Sequence, residues 1–183
     1  NDATDIICKI MRKHIILIGP MGAGKSSLGK RLAKRLERPF YDCDQYLEER
    51  TGVSITTIFE LEGEQGFRQR EHKILVELLA REPGIIATGG GIVTQGVNHA
   101  LLASDENIVI YLKASVASQQ KRTSHDKSRP LLQTPNRHAK LSTLATQRNP
   151  LYEKFADIII DTDRQNIGKS IQQIISQLSK PNC

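Results

Sequence analysis

The sequence predicts an α/β fold in three layers: a five-stranded parallel sheet flanked by helices, carrying a mobile lid. Two observations predict it. Short apolar runs alternate with helical patterns along the chain, the rhythm of strand–helix–strand crossovers. One of those runs, Ile15-Ile16-Leu17-Ile18, leads directly into Gly19-Pro20-Met21-Gly22-Ala23-Gly24-Lys25-Ser26. That octet satisfies the phosphate-binding pattern G-x-x-x-x-G-K-[ST], in the strand-then-helix context the pattern requires.

The elements follow in order. Residues 1–12 read as an N-terminal extension, Asn1 to Ile10 being either an extension or a frayed leader before Met11, and a single domain covers 13–180. Strands are expected at Ile15–Ile18, Phe40–Asp42, Gly84–Ala87, Asn107–Leu112 and Asp157–Ile160. Helical patterns lie between them at Ser27–Leu36, Asp44–Arg50, Ile55–Leu61, Glu64–Arg81, Val97–Ala103 and Ser115–Thr123. Arg137–Arg148 and Asn166–Leu178 complete the set. The stretch 124–136 is polar and broken by Pro130 and Pro135, and reads as the lid. There is no internal repeat and no low-complexity linker.

Composition excludes several classes. With 183 residues, 38% hydrophobic and 25% charged, the chain suits one soluble domain with a sizeable core. No apolar run approaches the length of a membrane span, and the first residues lack a signal-peptide pattern. Cys8, Cys43 and Cys183 are few, odd in number and without metal-ligand spacing, which suggests reduced thiols in the cytoplasm. The net charge of +6 is spread along the chain and only 4% of residues are aromatic, which argues against nucleic acid as a partner. No helix carries an unusually wide apolar stripe, so a monomer is expected.

The chemistry concentrates where an open parallel sheet binds ligands, beyond the carboxyl ends of its strands. In the phosphate loop, Gly22, Ala23 and Gly24 let backbone N–H groups turn inward around a phosphate. Lys25 reaches the β- and γ-phosphates and Ser26 can ligate Mg²⁺. Asp42 and Asp44, two apart at a strand end, are expected to share a face, one toward Mg²⁺ and one accepting a proton from a hydroxyl. The alternative is that Asp44 merely caps a helix starting at Gln45. Cys43 between them is expected to face the core. Thr88-Gly89-Gly90-Gly91 makes either a plain turn or a close approach of ligand to backbone. Asp161 reads as an edge or loop residue. Arg68, Arg129 and Arg148 sit in distinctive settings suited to planar recognition of carboxylate or phosphate; Arg70 has no assigned role.

Taken together, Gly22-Ala23-Gly24-Lys25-Ser26, Asp42-x-Asp44, Phe67-Arg68-x-x-Glu71, Gly89-Gly90-Gly91, Arg129-Pro130-Leu131-Leu132 and Arg148-x-Pro150-Leu151-Tyr152 closely resemble the shikimate kinase family. The match runs from about Lys13 to Leu178, with the motifs in the family's order. The resemblance implies a nucleoside-monophosphate-kinase-like P-loop NTPase fold and Mg²⁺-dependent transfer of the γ-phosphate of ATP to the 3-hydroxyl of shikimate, a step towards chorismate. It further implies that Asp44 holds the accepting hydroxyl as base or orienter, while Asp42 organises Mg²⁺ through water. Arg68 and Arg148 clamp the shikimate carboxylate, and the backbone of the Gly89–Gly91 turn meets the ring hydroxyls. Lys25 and the lid residue Arg129 neutralise the transferring phosphoryl group. Ser27 binds ATP with the phosphate loop, and Arg122 and the Asp163–Ile167 segment, including Gln165, lie near adenine. Two rivals remain: a kinase for another polyol acid or a nucleoside monophosphate, and a nucleotide-dependent switch. The absence of an Asn-Lys-x-Asp motif argues against the switch.

Overall fold

The computed structural model describes residues 2–180; Cys183 lies outside the described residues. The sheet is parallel throughout, with strand order β2-β3-β1-β4-β5. β1 (His14–Ile18) is central, between β3 (Ile85–Ala87) and β4 (Asn107–Lys113). β2 (Phe40–Asp42) and β5 (Ile158–Asp161) are the edges. β3, and β1 after His14, read as unbroken apolar runs because both strands are covered on both faces.

Alternation along β1 divides the core into two layers. Ile16 and Ile18 pack with Ile86, Val109 and Tyr111 against Leu47, Ile58, Leu75 and Tyr152. Those last residues come from α3 (Cys43–Thr51), α4 (Ile55–Leu79) and α7 (Arg137–Phe155). Ile15 and Leu17 pack with Ile85 and Ile110 against Leu28, Leu32 and Ile174, from α2 (Lys25–Arg35) and α8 (Ile167–Leu178). α5 (Gly96–Leu102) and α6 (Val116–Thr123) flank β4 in sequence.

The expected strands all form, displaced by at most a residue or so at their ends. Three departures are larger. The leader is a helix, α1 (Asp2–Met11), not a frayed end; Ile10 near its end packs against the Ile15 layer, and that burial favours order. The two helical patterns either side of Gly63 are one element, α4, bent at Gly63, whose φ of 70° and ψ of −177° are non-helical. The third is α7, expected to stop at Arg148 before the proline. It runs on to Phe155 with Pro150 inside it. Proline in a helix interior costs about 3 kcal/mol. The turn beyond it buries Tyr152 and Phe155, at 1% and 8% exposure, and each such side chain returns about 1.5–3 kcal/mol. Packing outweighs propensity here.

Candidate functional site

The phosphate loop joins β1 to α2 at the carboxyl end of the sheet. Gly22 and Gly24 hold φ of 77° and 86°, a region that side chains with a Cβ rarely enter, and Gly24 is the residue immediately before α2. Ala23 between them is buried, while Ser26 and Ser27 are exposed on the first turn of the helix. Lys25 folds back into the loop, its Nζ donating to Gly19 O at 2.6 Å and Pro20 O at 2.8 Å. Burial pushes its pKa down to about 7, and Arg129 and Arg148 push the same way against Asp44 and Asp42.

Asp42 and Asp44 come together, but not as two positions on one strand. The chain leaves β2 at Asp42, and α3 starts at Cys43, so the capping residue is Asp42: its Oδ1 accepts from Asp44 N at 3.0 Å and Gln45 N at 3.1 Å. Asp44 sits in the first helical turn and caps nothing. Its carboxyl is pushed up by burial and then by Asp42, against the pull of Arg129, Lys25 and Arg68. Cys43 faces the core, as expected. The other carboxylate oxygen of Asp42 accepts from Ser26 Oγ at 2.6 Å.

Ser26 and Asp42 suit Mg²⁺. Their hydroxyl and carboxylate oxygens are hard donors, already within hydrogen-bond reach of each other. No group of three His, Cys, Asp or Glu that could hold a metal exists among the described residues.

A cavity of about 700 Å³ opens beside this pair. Ser26, Asp42, Asp44, Arg68, Arg129 and Arg148 all line it, with Gly89, Gly90 and Gly91. Arg68 is buried on α4, donating from one terminal nitrogen to Glu71 Oε1 at 2.9 Å and from the other to Glu64 Oε1 at 3.3 Å. Burial pushes Glu71 up, and the nearby Arg68 charge opposes that. Arg148 is buried on α7, its guanidinium against Gly90. One helical turn later Tyr152 donates to Gly90 O at 2.5 Å, so α7 carries both the arginine and the anchor of the turn. The close approach of backbone explains the triplet: a Cβ at Gly91 would fall on the Arg68 guanidinium, and one at Gly89 would meet Glu71 Oε2 at 2.7 Å.

The residues expected near adenine divide. Arg122 donates to Gly22 O at 2.9 Å and to Thr162 Oγ1 at 3.2 Å, tying α6 to the phosphate loop and to the turn after β5. Gln165 does not join them; its amide donates to Gln173 Oε1 at 2.6 Å. Sequence reasoning missed Val53 and Phe59, which with Phe67 give the cavity an apolar wall. Beyond being apolar they carry no sequence signal. Asp161 ends the edge strand β5, as expected.

This geometry brings two aspartates and three arginines to one cavity, with Met21 and Ser26 of the phosphate loop at its wall. The shikimate kinase family model matches residues 21–179. The chain belongs to the shikimate kinase family. It is 53% identical over 161 residues to the shikimate kinase of Thioalkalivibrio sulfidiphilus, covering 88% of this chain and 84% of that one. To that of Nitrosospira multiformis it is 48% identical, covering 91% and 85%. A solved structure of shikimate kinase from Acinetobacter baumannii in complex with shikimate matches with a TM-score of 0.89 at 42% identity, over 94% of this chain and 96% of that one. A gluconokinase from Sinorhizobium meliloti shares only the fold, with a TM-score of 0.57 at 16% identity over 92% and 93%.

Proposed function

We propose that this chain transfers the γ-phosphoryl group of ATP to the 3-hydroxyl of shikimate, as its family implies, and that the cavity residues divide the work. One observation carries the assignment of the acceptor: the buried guanidinium groups of Arg68 and Arg148 face a cavity that Asp44 also lines. Arginines so placed suit a carboxylate at one end of the acceptor, and Asp44 suits a hydroxyl at the other.

On this reading Gly22 to Ser27 cradle the phosphates of ATP, with Arg122 and the 163–167 turn beside the base. Ser26 and Asp42 would hold Mg²⁺, Asp42 by way of water, and the ion would supply charge neutralisation for the phosphates. Asp44 accepts the hydrogen bond of the 3-hydroxyl and takes its proton as transfer proceeds. Lys25 and Arg129 stabilise charge on the moving phosphoryl group, and segment 124–136 closes to exclude water that would otherwise hydrolyse ATP. Such a reaction asks little covalent chemistry of the protein, so positioning and charge dominate.

The enzyme is proposed to be monomeric and cytoplasmic. No helix among the described residues is long and apolar enough to cross a membrane.

The decisive experiment measures acceptor-dependent ADP release with Mg²⁺ and ATP, offering shikimate, gluconate and AMP separately. Turnover with shikimate alone is expected. A rate with another acceptor would keep the phosphate site and discard the carboxylate clamp. A matching prediction concerns Arg148→Ala: it should raise KM for shikimate by about 100-fold, the scale of a lost charge-assisted pair, with KM for ATP little changed. A normal shikimate KM would remove Arg148 from the clamp.

A further inference from the structure

Segment 124–136 is a hydrogen-bonded unit, and Asp126 stands at its centre. Its N–H donates to Thr123 O at 3.0 Å and its carbonyl accepts from Arg137 at 3.4 Å, which ties its backbone to the end of α6 and the start of α7. Arg137 also donates to Thr123 O at 2.6 Å and Ser124 O at 3.1 Å. The two carboxylate oxygens then do different things. Oδ1 accepts from Ser128 N at 2.8 Å and Ser128 Oγ at 2.5 Å. Oδ2 accepts from Arg129 Nε at 2.9 Å.

The choice of Nε matters. A carboxylate on the inner nitrogen fixes the guanidinium plane and leaves the terminal nitrogens, the pair that suits a phosphoryl group, directed elsewhere. Arg129 lines the cavity together with Ser26 and Asp44. As a contribution to stability the contact is minor: the two side chains are 34% and 30% exposed, and pairs of that kind are worth about 0–1 kcal/mol. Its effect is directional. An unrestrained arginine must give up about 2 kcal/mol of rotamer freedom when it orders on a ligand, and a pre-held one gives up less.

We propose that Asp126 is a positioning residue for phosphoryl transfer, holding the Arg129 guanidinium through Nε so that its terminal nitrogens meet the transferring group. The inference rests on the role given to Arg129 above, and the test separates the two. Steady-state kinetics compare Arg129→Ala, Asp126→Ala and the double variant. Arg129→Ala should lower kcat by at least about 100-fold. Asp126→Ala should lower kcat by about 10-fold, with KM for shikimate within about two-fold. In the Arg129→Ala background the same change should alter kcat by less than about two-fold, because the partner it orients is gone. Asp126→Asn is the second variant. An amide has one oxygen and cannot serve both Ser128 N and Arg129 Nε, so its kcat should also fall while its melting temperature stays with the parent. Unchanged kcat in Arg129→Ala would overturn the role of the lid arginine, and this inference with it. A slow Arg129→Ala combined with wild-type kcat in both Asp126 variants would overturn the inference alone. So would an Asp126→Ala loss of equal size in both backgrounds, since Asp126 would then only shape the loop.

Discussion

Lys25→Met is expected to lower kcat by about a thousand-fold and at the same time to raise the melting temperature near pH 7. The two effects have one origin. Lys25 is buried against Gly19 O and Pro20 O with Arg129 and Arg148 nearby, and its pKa is pushed down to about 7. In the unfolded chain a lysine titrates near 10.4. Below that value the unfolded state holds the proton more readily, so the lysine costs folding free energy. The cost grows as pH falls through the interval and is complete below about 7, where it reaches on the order of 5 kcal/mol. Methionine fills the volume without a charge. It leaves the two carbonyls without their donor, at about 1 kcal/mol each, which is the smaller term. The gain in melting temperature should therefore shrink as pH is raised from 7 to 9. Thermal melts of both proteins across that interval check it. A variant less stable at pH 7, or a gain that does not change with pH, would mean that the buried ammonium is not held at a depressed pKa. The same ammonium that strains the free protein is matched to phosphate oxygens, so strain and activity are lost together.

How much of this was legible in the sequence varied with the range of the interaction. The phosphate loop was, because strand, glycines, Lys25 and helix are contiguous and each residue type answers a local requirement. Asp42 and Asp44 were legible as a pair but not as a geometry. The carboxylates converge because β2 is only three residues long and turns into α3 at once, which makes Asp42 the cap. Pro150 misled because it is a local signal, overruled by Tyr152 and Phe155, whose burial depends on β4 and the turn after β3. Arg148 was picked out beside that proline, yet what makes it useful is that α7 continues and lets Tyr152 seize Gly90. Arg68 sits on α4 beyond the bend at Gly63, and its placement against Gly91 could not be read from spacing alone. Asp126, three residues before Arg129, looked like one more polar lid residue. Only the fold brings its second oxygen to Arg129 Nε.

Asp44→Asn should lower kcat by about a thousand-fold, within the usual span for a lost general base, while leaving ATP affinity close to wild type. The carboxyl is well placed for that work: it sits half-buried in the first turn of α3, it lines the cavity, and desolvation and Asp42 hold its pKa above the ordinary carboxylate value. A base so raised binds a proton more firmly at the moment of transfer. The consequence for pH can be signed. Only the ionised form accepts a proton, so kcat/KM for the wild-type enzyme should fall on the acid side along a limb lying above the usual range for aspartate. Asp42→Asn then offers an independent handle. Asparagine caps α3 as well as aspartate does, so the helix survives. It removes the negative charge that disfavours ionisation of Asp44, so the acid limb should move to lower pH even as Mg²⁺ affinity drops. Rate profiles from about pH 4.5 to about 8 at saturating Mg²⁺, a window that spans ordinary and raised carboxylates, compare the two proteins. A limb that stays in place in Asp42→Asn would assign it to a group other than Asp44. A fall of less than about ten-fold in Asp44→Asn would leave the aspartate only orienting the hydroxyl, with the proton departing to the phosphoryl group or to water.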